Sequence, residues 1–378
     1  MFLNHSLKYF FHNKLSEFYI MFSLRNLGLA MINLFLPIFI FSLRNSLFDV
    51  INFLFFQFLS LIIFFPLAGK LTSKIGNAHT MLFSSPFLIL FFLILYSSNQ
   101  IIALLPFLGV LLGFAEAFFW MPFHSEFSFI SKSKEIDKEI SYYRIFGIVF
   151  STIGPLIGSI IILFFGFSVL FLSTIILLLA SQIPLLLSKD IKTRQRFYLK
   201  NIFRTKNFSD FVPHFGYGAV LITTACLWPL LLFFIVSDFF IIGYFALIVN
   251  LLSVIITFLI GKKIFNKNKK NVIKKGATIF SFTIILRAFV FNALQASMIW
   301  FLGGLLWPLF ELPLESFVYS KSKRFNKLEF FVAREFSLAV GRFLVLGIVF
   351  FCLYDTMLAI STGIFVSGIL MFFCYFSW

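Results

Sequence analysis

The sequence predicts an all-α membrane protein of about twelve transmembrane helices arranged as two pseudo-symmetric six-helix bundles. Three observations carry that expectation: an apolar composition beyond what a soluble core absorbs, basic residues confined to alternate loops, and a repeat at half the chain length.

Of 378 residues, 60% are hydrophobic and 12% charged, whereas soluble domains hold about 45–50% apolar and about 25% charged residues. A spanning helix uses about 20 mostly apolar residues. Strands of a membrane barrel would alternate polar and apolar, and these segments do not. Apolar windows fall near 17–43, 47–68, 79–97, 101–127, 142–164, 167–187, 212–236, 239–260, 276–293, 297–319, 329–353 and 356–376. The first follows Lys8 and Lys14 and lacks a small-residue cleavage site, so it reads as a span rather than a removable leader. The 62 phenylalanines are expected to fill lipid-facing positions. Cys226, Cys352 and Cys374 lie in separate apolar runs, which indicates neither a disulfide framework nor a zinc site.

The formal net charge of +16 raises nucleic-acid binding, and its distribution argues against it. If every window crosses the membrane, 25 of the 31 basic residues lie on one side. They precede span 1 and follow spans 2, 4, 6, 8 and 10, with the densest loops at 189–206 and 262–275. The other side carries Arg44. This is the positive-inside pattern, so both termini are expected in the cytoplasm of a cell membrane. The basic loops are expected to meet anionic lipid headgroups.

The polar stretch 188–211 divides the chain into bundles 1–187 and 212–378. Around spans 4 and 5 the chain reads FFWMPFHSEFSFISKSK, and around spans 10 and 11 it reads LLWPLFELPLESFVYSKSK. An offset of 189 carries Ser131–Lys134 onto Ser320–Lys323 and Glu126 onto Glu315. Gly69-Lys70 after span 2 similarly corresponds to Gly261-Lys262 after span 8. Two parallel six-span halves follow.

This arrangement resembles the major facilitator superfamily, whose members pair two six-helix bundles about an axis along the membrane normal. The stretch Gly69-Lys70-Leu71-Thr72-Ser73-Lys74-Ile75-Gly76 resembles that family's loop between spans 2 and 3, G-x-L-[AT]-D-[RK]-x-G-[RK]. Gly69, Leu71, Lys74 and Gly76 fit; Ser73 replaces the acid and Asn77 the final base. The resemblance implies a cytoplasmic gate near this loop, lacking the latch that the acid makes with span 11. In span 5, Gly147, Gly154-Pro155 and Gly158 resemble the G-P-x-x-G element of exporters in the superfamily. They also suit close helix packing at Gly154 and Gly158, with a bend at Pro155.

Ionisable groups inside a bilayer cost several kcal/mol and are normally paired or functional. Here they are Arg25, Glu116, Glu126, Arg144, Arg287, Glu311, Glu315, Arg334, Glu335 and Arg342. Depth at about 1.5 Å per residue matches Glu315 with Arg334 near the cytoplasmic interface, and Glu311 with Arg342 roughly 10 Å deeper. Glu126 with Arg144 is the corresponding shallow pair of the first half. Glu116 has no base at its depth on span 5, so Arg25 or a proton is expected to neutralise it. Glu116, Trp120 and His124 recur along one face of span 4, as do Trp307, Glu311 and Glu315 on span 10. The resemblance implies that spans 1, 4, 7 and 10 line a central cavity, adding Asn33, Tyr217 and Trp228. His124 is expected to be a plain interfacial residue.

The expected function is secondary transport of a small organic solute by alternating access, driven by a proton gradient without a cofactor. Glu116 would couple the proton, with Arg25 modulating it. Export in exchange for protons is favoured, because acids beside aromatics suit cations. Proton-coupled uptake of a sugar, nucleoside, peptide or organic acid is the alternative that Arg25 and Arg342 allow. A transport-inactive sensor or scaffold is the alternative that Ser73 allows. Neither an enzyme nor a nucleic-acid partner is expected, and a monomer is.

Overall fold

The computed structural model describes residues 14–97, 100–130, 136–187, 197–204, 212–260 and 269–377. Regular structure among them is helical. The order is α1 (Lys14–Asn33), α2 (Leu36–Ser42), α3 (Leu47–Ile75), α4 (Asn77–Ser97), α5 (Ile101–Ile130), α6 (Ile136–Leu187), α7 (Val212–Ile222), α8 (Trp228–Val236), α9 (Phe239–Ile260), α10 (Lys269–Arg287), α11 (Ala293–Ser322), α12 (Lys327–Phe351) and α13 (Thr356–Phe372).

Among the described residues, nine segments are long and apolar enough to cross a membrane. One of these covers α6, whose helical geometry breaks at Gly166 (φ 77°, ψ 179°). A left-handed φ of this kind favours glycine, and it places the boundary between the fifth and sixth expected spans. The charged helices α10 and α12 fall outside the nine. With both of them and the two limbs of α6 counted separately, the segments follow the order of the twelve windows. The ninth window is displaced: its helix runs from Lys269 to Arg287, because lysine stems can lie along an apolar surface while their ammonium groups stay wet. Asn292 then caps α11, its side-chain oxygen accepting from the Gln295 N–H at 2.9 Å.

Two expected continuous spans are interrupted. The first bends at Leu34 and Phe35, between α1 and α2, where Pro37 occupies the first turn of the new helix. The seventh widens into a π-turn over Thr223–Leu227 before α8. Pro229 lacks the N–H that would bond the carbonyl four residues earlier, so the ladder loosens there.

The first-half helices pack chiefly as α1 on α6, and as α4 and α3 on α5. In the second half, α7 meets α12 and α13, while α10 meets α11 and α13. Contacts between halves run through α6 with α9 and through α3 with α12. Small residues permit the closest approaches. A Cβ on Gly158 would strike the Met31 carbonyl, one on Gly154 the Ala30 methyl, and one on Gly341 the Phe215 carbonyl. The phenylalanines are not confined to lipid-facing sites. Phe35, Phe91, Phe92, Phe119, Phe123 and Phe127 are wholly buried, their flat rings filling the space between helices.

Candidate functional site

A cavity of about 550 Å³ lies between the halves, with walls drawn from α1 to α7, the π-turn, α11 and α12. Arg25, Asn33, Glu116, Trp120, Tyr217, Glu311 and Arg342 line it, as do Glu315 and Arg334. Both interruptions of regular helix lie beside it: Asn33 closes α1, and Ala225 and Cys226 belong to the π-turn. Broken helices at the centre of a bundle free backbone groups to face a cavity.

Glu116 accepts a hydrogen bond from the Gln57 Nε2 amide at 3.0 Å. Arg25 and Arg342 both act on its charge, as does Glu335 with opposite sign. Arg25 is 1% exposed and lies over the Phe119 ring, 3.6 Å from its centroid. Its Nε and Nη1 have no hydrogen-bond partner among the described residues.

The stacked ion pairs anticipated from helix depth are replaced by other bonds. Arg342 donates to Glu335 of its own helix at 2.5 Å and reaches over Phe58 of the first half. Glu311 instead accepts from the Tyr217 hydroxyl at 3.1 Å. Arg334 turns away from Glu315 to His124, 2.7 Å from Nε2. Depth along two antiparallel helices does not set which way side chains rotate, and two turns on one helix bring Glu335 beneath Arg342. Glu126 accepts from Asn77 at 2.5 Å; the side chain of Arg144, its expected partner, lies outside the described residues.

His124 is buried rather than interfacial. An arginine only donates, so its contact makes Nε2 the acceptor and places the proton on Nδ1, which then donates to the Tyr319 oxygen at 2.7 Å. Four residues along, the Ser128 and Ser322 hydroxyls meet at 2.8 Å. The Lys327 ammonium sits over Phe129, and Phe127 packs edge-on against Tyr319. These contacts join α5 to α11 and α12 at the basic-loop end. Between helices and loop, Phe197 covers Gly69, and the Tyr198 N–H bonds Glu329 at 3.1 Å.

At the opposite end the halves meet through aromatic pairs, Phe41 with Phe234 and Phe35 with Phe239. Arg44 is bonded there by Asp49 at 3.0 and 2.7 Å, which raises its pKa and neutralises the one base expected on that side.

Other expected site residues are placed elsewhere. Trp307 stands behind the cavity wall, packing on Tyr217 and Phe280. Trp228 is buried beneath Arg287 and against Trp300. Lys74 is exposed at the end of α3, where Gly76 turns the chain with φ 101°. The Ser73 hydroxyl bonds the Lys70 carbonyl at 2.7 Å. Gly147 faces Phe22 and Asn26 of α1, and the Pro155 carbonyl lies against Gly243 of α9. Gln57, His214 and Asn26, unforeseen, also line the cavity. A glutamine within an apolar span was the available signal for the first.

Apolar helices packed around a central cavity, two of them interrupted beside it, define the class: this is a multi-pass membrane protein with the fold of major facilitator superfamily transporters. It superposes on the human organic anion transporter MFSD10 (TETRAN) with a TM-score of 0.69 and 11% identity, over 96% of this chain and 100% of that one. A variant of the E. coli fucose:proton symporter FucP gives 0.69 and 12%, over 96% and 98%. In sequence, the uncharacterized protein YqgE of Bacillus subtilis is 24% identical over 358 residues, 90% of this chain and 82% of that protein. No family model matches.

Proposed function

We propose that this protein is a secondary transporter that carries a small organic solute through the central cavity by alternating access, coupled to protons at Glu116. In this reading the units 1–187 and 212–378 rock about the cavity, and the basic loops and termini face the cytoplasm of a cell membrane against anionic lipid. The protein works as a monomer on a proton gradient. The observation that carries the proposal is a half-buried carboxyl, Glu116, on a cavity wall shared by both halves, under the field of an arginine from each. The likeness to an organic anion transporter and a fucose:proton symporter supports it.

The direction of coupling depends on the solute's charge. A cation would compete with the proton for the acids and exchange against it, the export expected from the sequence. An anion would favour protonation and travel with the proton. Gln57, Tyr217 and Arg342 engage Glu116, Glu311 and Glu335, and this favours the second course. The test is solute flux in proteoliposomes under an imposed pH gradient: the wild type concentrates solute and Glu116→Gln does not. Equal gradient-driven flux in both would sink the coupling assignment.

A further inference from the structure

The cavity contains more acids than arginines, which at first suggests a cationic ligand. Bonding capacity gives a different answer. Glu116 is held by Gln57, Glu311 by Tyr217 and Glu335 by Arg342, and Glu315 is also engaged. Arg334 meets His124 through Nη2, its Nε alone lacking a partner among the described residues. Arg25 differs: it is buried on the cavity wall over the Phe119 ring, and both its Nε and Nη1 are without a hydrogen-bond partner among the described residues. An aromatic face attracts a guanidinium but accepts none of its directional hydrogen bonds as an oxyanion does. The same cavity is lined by Asn26 and Asn33, which offer further amide donors, and by Phe22, Phe58 and Trp120, which offer apolar surface.

We infer that the cavity's solute is an organic anion, a carboxylate or sulfonate on a small aromatic body gripped by Arg25, and that it travels with the proton carried by Glu116. The inference rests on the transporter reading above and names its substrate class. The coupling follows from charge. Arg25 attracts Glu116, and an anion on Arg25 repels that carboxylate, so anion binding favours a proton on Glu116. By reciprocity, a proton on Glu116 favours the anion. The other groups facing Glu116 are Gln57 from α3, and Arg342 and Glu335 from α12. Further along the cavity are Glu311, Glu315, His124 and His214.

The test uses the full chain, purified and reconstituted, with three matched probes: benzenesulfonate, benzenesulfonamide and benzyltrimethylammonium. The first and last hold fixed charges, so any pH effect belongs to the protein. Benzenesulfonate is expected to raise the melting temperature, to enter vesicles down an imposed proton gradient, and to acidify their interior. The other two are expected to do none of these. Binding should tighten as pH falls in the wild type and become flat in Glu116→Gln. Arg25→Gln should weaken it by about tenfold or more, with Arg25→Lys in between. If Arg25→Gln does not fold, the Lys variant runs the same series.

Unchanged sulfonate binding in the Arg25 variants overturns the assignment. Benzyltrimethylammonium moving against protons, with the sulfonate inert, overturns the substrate class and leaves the transporter reading standing. Silence from all three probes also overturns the inference; a wider solute panel in the same vesicles then decides the transporter reading separately.

Discussion

The two halves furnish the cavity differently. At the cavity, the second half holds two of its acids within itself: Arg342 bonds Glu335 on one helix, and Tyr217 bonds Glu311 across two, while its Arg334 reaches His124 of the first half. The first half buries Arg25 on a phenylalanine ring and leaves the Glu116 carboxyl to a neutral amide. A closed pair holds its geometry through a cycle, whereas a buried charge with spare donors responds to whatever enters. Under the transport proposal, the contrast puts the working groups in the first half and the supporting ones in the second.

The largest effects should come where the halves are alike. Gly158 and Gly341 each bring one helix against the backbone of another, so a leucine at either should abolish recovery of folded protein, while Gly347→Ala, in open space, should melt as the wild type does. Failure in only one half would show that the packing symmetry is superficial. Next, Arg342→Ala strands Glu335 and should cost about 3–5 kcal/mol. Arg25→Ala breaks no ion pair and should cost clearly less, read by thermal melts in one detergent; the reverse order would break the contrast between the halves.

Smaller again is the closure at the basic-loop end. Tyr319→Phe removes the acceptor of the His124 proton and should cost about 1 kcal/mol. It should also speed thiol labelling of a cysteine placed at Ser128, and unchanged labelling would mean that this contact does not hold the end shut. Smallest is Lys74→Gln, an exposed side chain, for which melting and flux should match the wild type. A marked loss there would support the gate that the sequence places at the loop between α3 and α4.

Much of the helix order was legible because span length and loop charge are local properties. The boundary near 166 and the small faces at Gly154 and Gly158 followed from residue type and spacing alone. The face carrying Glu116, Trp120 and His124 also reaches the cavity together. The partners of these residues were not legible. His124 looked peripheral because it lies near a helix end, and burial comes from α11 and α12 closing over it. Asn77 looked like a lost base in a loop motif, yet it bonds Glu126 across 49 positions of sequence. The 189-residue offset that relates the halves also places His214 at the position equivalent to Arg25, and both line the cavity.

By itself the sequence determined a many-span helical membrane protein, because so many apolar windows cannot all be hidden from water in any other way. It also determined that a few carboxylates and arginines had to lie within the bilayer depth. Only the tertiary structure decided which of them meet. Hydrogen bonds act over about 3 Å, a scale fixed by helix rotation and rotamer choice rather than by depth along a span. On that scale Arg342 and Glu335 pair with each other, and Arg25 lies beside the cavity with its buried Nε and Nη1 unpartnered among the described residues.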